Sequence, residues 1–171
     1  MKRVGWLSFS IVALLILDQI TKFVVRTNFF PGESKSVFAS FFSFTYVKNP
    51  GVAFGFLAEA PEAWRRPLLL AIPLIACIWL AVLIWQNRKS PNWLLGVSYA
   101  LIFAGALGNL IDRFYLGFVV DFFDFYWKSS HFPAFNIADS CISVAAALLI
   151  LDFILEYRRT SKKGKCECCH H

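Results

Sequence analysis

A chain of 171 residues that is 58% hydrophobic and 16% charged, with a mean hydropathy of +0.58, carries more apolar surface than a soluble domain of this size can bury. Lipid is the solvent that accommodates the excess. The formal charge of +6, from 17 Lys and Arg against 11 Asp and Glu, does not indicate a nucleic-acid partner. The basic residues gather at the ends of apolar segments, where membrane topology places them.

Four apolar runs are long enough to cross the hydrocarbon, which takes roughly 20 helical residues: residues 4–25, 67–85, 93–111 and 137–155. The first follows Lys2 and Arg3 and has the flanks of a signal peptide. Its apolar run is too long for one and no small-residue cleavage site follows, so it is read as a retained anchor. Residues 26–66 come next. Within them, residues 42–47 alternate aromatic with small polar or β-branched residues, a strand pattern. Asn49-Pro50-Gly51 is a turn signal and residues 52–56 follow it, so a small sheet or hairpin at the membrane surface is expected. The second connection, residues 112–136, carries Phe122, Phe123, Phe125, Tyr126 and Trp127, a density that suits an amphipathic element in the headgroup layer.

The expected fold is an all-α membrane protein with four transmembrane helices, a small extracytoplasmic sheet or hairpin and an interfacial amphipathic element. Residues 1–157 form one domain and 158–171 a basic, Cys-rich cytoplasmic tail. Lys2 and Arg3, then Arg88 and Lys89, then Arg158, Arg159, Lys162, Lys163 and Lys165 fall on one side of a four-span topology. That side is cytoplasmic by the positive-inside rule, with both termini on it. The other side receives Arg26, Lys35, Lys48, Arg65 and Arg66, only partly offset by Glu33, Glu59 and Glu62, so the bias is not unanimous. Of five cysteines, Cys77 and Cys141 lie inside spans. Cys166, Cys168 and Cys169 share the tail with His170 and His171. Those are soft metal-ligand types without a folded context, which reads as a solvated tail rather than a metal site.

Ionisable residues inside spans are costly and are functional candidates by default. Asp18 falls late in the first span, Asp112 at the close of the third and Asp139 at the opening of the fourth. Asp121 lies in the connection between the last two. Topology alone therefore brings four carboxylates to the outer leaflet. Three of them have a bland alternative. Asp18 has Lys22 at i+4 and can be a self-neutralising helix pair. Asp112 shares a helix face with Asn109 and Arg113 and can be a salt-bridge anchor. Asp139 can cap the fourth span. Asp121 and Asp139 nonetheless sit in apolar stretches with no cation nearby in sequence, a setting in which two close carboxylates hold one proton between them.

Other features read as structural. Gly96, Ala100, Ala104 and Gly108 repeat every four residues, a close-packing stripe. Ser98, Ser140 and Ser143 are helical serines that bond back to their own backbone, although a Ser140–Lys22 dyad is conceivable. His131 is alone and reads as solvated. No cluster suggests a metal and no glycine-rich loop a nucleotide, so no cofactor is expected.

Five stretches carry a resemblance. Asp18-Gln19-Ile20-Thr21-Lys22, Asn49-Pro50-Gly51-Val52-Ala53-Phe54-Gly55, residues 105–113 (GALGNLIDR), Val119-Val120-Asp121-Phe122 and Phe135-Asn136-Ile137-Ala138-Asp139 resemble the bacterial lipoprotein signal peptidases, or signal peptidase II. The match runs from about residue 10 to 156 in the family's order. It implies an aspartic endopeptidase of the bacterial cytoplasmic membrane that removes the signal peptide of diacylglyceryl-modified prolipoproteins, just before the lipidated cysteine. Its catalytic pair falls on Asp121 and Asp139. Asn49, Gly51, Asn109, Asp112, Arg113 and Asn136 match positions that line or support the site, and Asp18 and Lys22 match the first-span motif. Pro50 departs from the family at a variable position and should only stiffen the turn. The tail has no counterpart. Prolipoproteins and membrane lipids are the partners implied, for a monomeric enzyme. A proton-coupled transporter would also use intramembrane carboxylates, but spread through the membrane depth, and a purely structural membrane protein would not need two unpaired acids beside asparagines.

Overall fold

The structure, a computed structural model, describes residues 2–38, 41–51 and 61–167. Four helices form the body: α1 (Lys2–Asn28), α2 (Glu62–Gln86), α3 (Trp93–Leu116) and α4 (Ile137–Glu167). Each contains a run long and apolar enough to cross a membrane. Their outward faces carry bare apolar side chains, among them Trp6, Phe9, Ile75, Trp79 and Phe153, which only lipid can cover. A single turn of 3-10 helix, Asn87–Lys89, links α2 to α3 and carries two of the basic residues.

Helix ends follow local chemistry. Asn92 caps α3 by accepting from the Leu95 amide at 3.1 Å, and Gly117 ends that helix in the left-handed region at φ 81°. α3 thus runs five residues past the third apolar run, and Asp112 and Arg113 lie in its last turns. α4 continues without interruption through Glu167, so the basic segment begins as helix. The tail residues Cys168, Cys169, His170 and His171, read as solvated, lie outside the described residues, as does the Cys166 side chain.

α3 is the central helix. It packs against α1, α2 and α4, and its apolar window is 44% buried against 17% for each of the others. The small-residue stripe explains the close approach. A Cβ on Gly108 would come within 2.7 Å of the Asp18 carboxylate on α1. One on Gly105 would land on the Ala138 carbonyl oxygen and within 2.8 Å of Ile142 on α4. At the opposite end of α3, Arg3 packs over Gly96, donates to the Asn92 carbonyl and lies 5.3 Å from the Trp93 ring.

An antiparallel sheet lies at the end of the bundle away from the N-terminus. Its strands are β1 (Ser34–Phe38), β2 (Phe42–Asn49), β3 (Val119–Trp127) and β4 (Ser130–His131), in that order across the sheet. The strand expected at residues 42–47 is β2. The partner expected at residues 52–56 lies outside the described residues. The aromatic run of the second connection is β3, a strand rather than a separate amphipathic segment. It pairs with β2 in a register that sets Val47 opposite Asp121 and Asn49 opposite Val119. The two long connections are thereby sewn together. Val25, Tyr46, Val120 and Phe122 form a core between sheet and helix ends.

Candidate active site

Asp121 enters the fold near the start of β3 and is 2% exposed. Asp139 is the third residue of α4, one turn from its cap. Both line one cleft of about 460 Å³, together with Asn49, Asn109 and Arg113 on the polar side and Pro73, Ala106, Phe135 and Ile142 on the apolar side.

Three asparagine amides hold the two acids. Asn49, at the end of β2, donates from Nδ2 to Asp121 Oδ2 at 3.0 Å. Asn136 donates from Nδ2 to Asp121 Oδ1 at 2.7 Å. Asn109, on α3, donates from Nδ2 to Asp139 Oδ1 at 2.8 Å. Each carbonyl end accepts from a group that can only donate: Asn49 Oδ1 from the Gly51 amide at 3.1 Å, Asn136 Oδ1 from the Asp139 amide at 2.9 Å, and Asn109 Oδ1 from Lys22 Nζ at 2.9 Å. These donors fix the orientation of all three amides. Asp139 Oδ2 in return accepts from the Asn136 amide at 3.3 Å, the reciprocal cap of a helix start. Asp139 therefore caps α4 and faces the cleft at once, so the capping alternative and the site reading are both part of the geometry.

Behind this layer lies a charged one. Lys22 Nζ, 2% exposed as a residue, contacts Asp18 at 2.9 Å and Asp112 at 3.1 Å as well as Asn109. Its three protons are thus all engaged. Asp18 also accepts from the Ala138 amide at 2.9 Å, satisfying an otherwise orphan donor at the start of α4. Asp112 accepts from the Val120 amide at 3.1 Å, which fixes the entry of β3 beside the dyad. Asp112 is an ion-pair anchor as its bland reading had it, with Lys22 as the partner. Arg113, its neighbour in sequence, turns instead to the Gly51 carbonyl at 2.9 Å and keeps Nε buried without a partner among the described residues. Gln19, given no role from sequence, joins α1 to α3 through the Gly108 carbonyl and Asp112, both at 3.2 Å.

Burial, then the charge of Asp139, lifts the pKa of Asp121 from 3.8 to about 7 against the lowering pull of Asn49, Asn136 and Lys22. Ser140 bonds back to the Asn136 carbonyl at 2.9 Å. With Lys22 engaged elsewhere, the Ser140–Lys22 dyad does not form. Among the described residues no group of three or more His, Cys, Asp or Glu is placed to hold a metal ion.

The structure departs from the sequence reading at His131, which is not simply solvated. Its Nδ1 lies 2.9 Å and 3.1 Å from the two carboxylate oxygens of Asp124, a buried acid overlooked in the sequence. An Asp and a His seven residues apart, flanking Lys128 and Ser129 in a strand-rich stretch, are the signal that was there to be read.

Fold and cleft together define a four-helix membrane protein organised around two hydrogen-bonded carboxylates at one end of the bundle. The chain belongs to the signal peptidase II family, whose model matches residues 10–155. It is 47% identical to the lipoprotein signal peptidase of Shewanella loihica over 155 residues, covering 87% of this chain and 86% of that one. It is also 47% identical to that of Geobacter metallireducens over 156 residues, covering 90% and 94%. A bacterial membrane enzyme solved by the in meso method at 2.3 Å resolution superposes with a TM-score of 0.78 at 34% identity, covering 90% of each chain. A second, solved at 1.9 Å, gives 0.75 at 33% identity, covering 87% of this chain and 92% of that one. The protein is a peptidase of the membrane.

Proposed function

We propose that this peptidase is an intramembrane aspartic endopeptidase that removes the signal peptide from diacylglyceryl-modified prolipoproteins, cutting just before the lipidated cysteine. The observation that carries the reading is the pair itself. Asp121 and Asp139 come from separate elements, line one cleft, and are held by neutral amide donors rather than by cations. Neutral donors orient the carboxylates without abolishing the demand for a shared proton, and burial, with the charge of Asp139 behind it, raises the pKa of Asp121 in the direction that sharing requires.

In the proposed reaction the ionised member of the pair takes a proton from a water molecule as its oxygen adds to the scissile carbonyl carbon. The protonated member donates to the carbonyl oxygen. The tetrahedral intermediate collapses as the C–N bond breaks: the leaving nitrogen takes up the proton removed from the water, and a hydroxyl of the intermediate returns its proton to the acid that had donated one as the C=O bond re-forms, so the pair ends with the single proton it began with. The proton count belongs to the pair, not to either acid. Arg113 lines the cleft and brings a cationic donor group to the side where the peptide backbone would lie. The apolar wall of Pro73, Ala106 and Ile142 suits a signal-peptide helix and acyl chains arriving from lipid.

The same proposal places the protein in the bacterial cytoplasmic membrane as a monomer, with both termini in the cytoplasm and the cleft near the outer leaflet. A lipid-anchored substrate reaches that depth without leaving the bilayer. A proton-coupled transporter is disfavoured, because Asp18, Asp112, Asp121 and Asp139 gather at one end of the bundle instead of marking a path through it.

The test is turnover of a diacylglyceryl-modified prolipoprotein, per folded molecule, by Asp121→Asn, Asp139→Asn and the double variant. Each single change is expected to abolish cleavage, and the double to be no worse than either single, since residues acting as one unit are non-additive. Substantial cleavage by Asp121→Asn would overturn the assignment.

A further inference from the structure

The polypeptide between the two acids is a loop whose roots are Asp121 and Asp139. β3 leaves Asp121, turns at Lys128 with φ 55°, and returns as β4. Residues 132–135 then line the cleft before Asn136 contacts Asp121. Support of the rim is uneven: Phe135 is bridged to Phe123 on β3, whereas the outer part is tied by the bond from Phe132 N to Phe125 O. β4 pairs with β3 only at Tyr126↔His131 and Trp127↔Ser130, too few residues to be stable alone. Pro133 has no N–H to give.

His131 makes the polar side-chain link from the rim to the centre of the sheet, beside the Phe135 ring, which packs on Phe123 and Phe125 with centroids 5.5 and 5.9 Å away. His131, immediately before Phe132, contacts Asp124 at 2.9 Å and stacks on Tyr126 with ring centroids 5.1 Å apart and 24° between planes. Asp124 is itself fixed from the far side, accepting from Ser43 Oγ at 3.2 Å and Thr45 Oγ1 at 3.1 Å on β2. An ionised carboxylate only accepts, so His131 Nδ1 carries the hydrogen of this link. The chain Thr45–Asp124–His131 thus ties β2, β3 and the rim in one line. The adjacent backbone bonds, Phe132 N to Phe125 O at 2.8 Å and Phe135 N to Phe123 O at 3.2 Å, hold the rim beside it.

We propose that His131, held by Asp124, is a positioning residue: it pins the 132–135 rim against β3 and thereby sets how tightly the cleft holds its substrate. The statement about substrate rests on the peptidase reading above, whereas the pinning itself does not. His131 touches neither Asp121 nor Asp139, so its loss should weaken binding more than chemistry.

The experiment uses the full chain in lipid nanodiscs and the variants His131→Ala and His131→Asn. The His131 side chain is 56% exposed, so both changes leave the buried core intact. Asn presents an N–H near the position of Nδ1 and restores the link without the ring. With a diacylglyceryl-modified prolipoprotein peptide, His131→Ala should raise KM about tenfold with kcat within about twofold, the scale of one charge-assisted hydrogen bond. His131→Asn should recover most of that loss. Hydrogen exchange, read without substrate, should show the Phe132 and Phe135 amides exchanging about tenfold faster in His131→Ala and near the parent rate in His131→Asn. Unchanged exchange and unchanged KM in His131→Ala would overturn the proposal. So would a fall in kcat at constant KM, or failure of Asn to restore either readout. If the parent protein does not cleave the peptide, the peptidase reading fails while the exchange data still decide the pinning.

Discussion

The stability of Asp121→Asn relative to the parent protein is expected to rise with pH, while the variant loses turnover. Asp121 is 2% exposed, and burial with the neighbouring charge of Asp139 raises its pKa from 3.8 to about 7. Between those values the folded protein keeps a proton that the unfolded chain has released. Stability therefore falls as pH rises through this window. The window spans about three pH units at about 1.4 kcal/mol each, so the wild type loses ~4 kcal/mol by pH 7 and no more above it. Asn does not titrate and escapes this loss. It has a separate cost, because Asn49 and Asn136 both point N–H groups at residue 121 and one of them would face the new amide donor to donor. That penalty is about 1–3 kcal/mol and does not depend on pH. The slope of the difference is thus diagnostic, and its offset is not. Melting temperatures of both proteins in one detergent, from pH 4 to 8, should diverge by roughly 8–16 °C, at about 2–4 °C per kcal/mol for a protein of this size. A difference that stays flat across that range would refute the argument that Asp121 is a buried, proton-holding acid.

Asp18→Asn should cost about 2 kcal/mol, because Lys22 keeps Asp112 and Asn109 when it loses Asp18. Turnover per folded molecule should largely survive, measured beside yield and melting temperature. Gly105→Ala should drive α4 off α3 at Ala138 and lengthen the Asn109–Asp139 bond, lowering kcat by about tenfold or more. Gly5→Ala, which meets nothing within 4 Å, is its neutral control. Cysteines engineered near Lys35 and Ser129 should label from outside intact spheroplasts, while those near Lys89 and Lys162 should not, and the reverse pattern would invert the proposed topology.

The four helices were legible because lipid demands long apolar runs, and nothing else in the chain competes with that signal. Their ends were less so. Hydropathy stops at Ile111, yet the backbone stays helical through Asp112 and Arg113 until Gly117 supplies the left-handed stop. The charges break the apolar pattern without breaking the helix. β3 was hidden for a different reason. Its early residues Val119, Val120, Asp121 and Phe122 are all buried, so both faces are covered and the period-two alternation that exposed β2 is absent. The carboxylates could be assigned to one end by counting spans. Their partners could not, because Lys22 reaches Asp112 and Asn109 across a helix interface, while sequence neighbourhood offered only Asp18. Asp124 and His131 meet through the register of a strand pair that the aromatic run concealed.

The same long-range partners account for the use of asparagine around the acids. An amide has a donor end and an acceptor end, and a free amide beside a carboxylate could present either. Here Lys22, the Gly51 amide and the Asp139 amide each occupy a carbonyl, and none of them can accept. Every Nδ2 is left facing Asp121 or Asp139. The ammonium of Lys22 thereby acts on the dyad through Asn109 rather than by direct contact. A direct ion pair would hold one acid permanently ionised, whereas an oriented neutral donor fixes geometry and is compatible with the shared proton that the proposed mechanism requires. Lys22 in turn is held by Asp18 and Asp112, and Asp18 also bonds the start of α4 through Ala138. One buried network therefore settles two things together: the spacing of α1, α3 and α4, and the orientation of the amides that face Asp121 and Asp139.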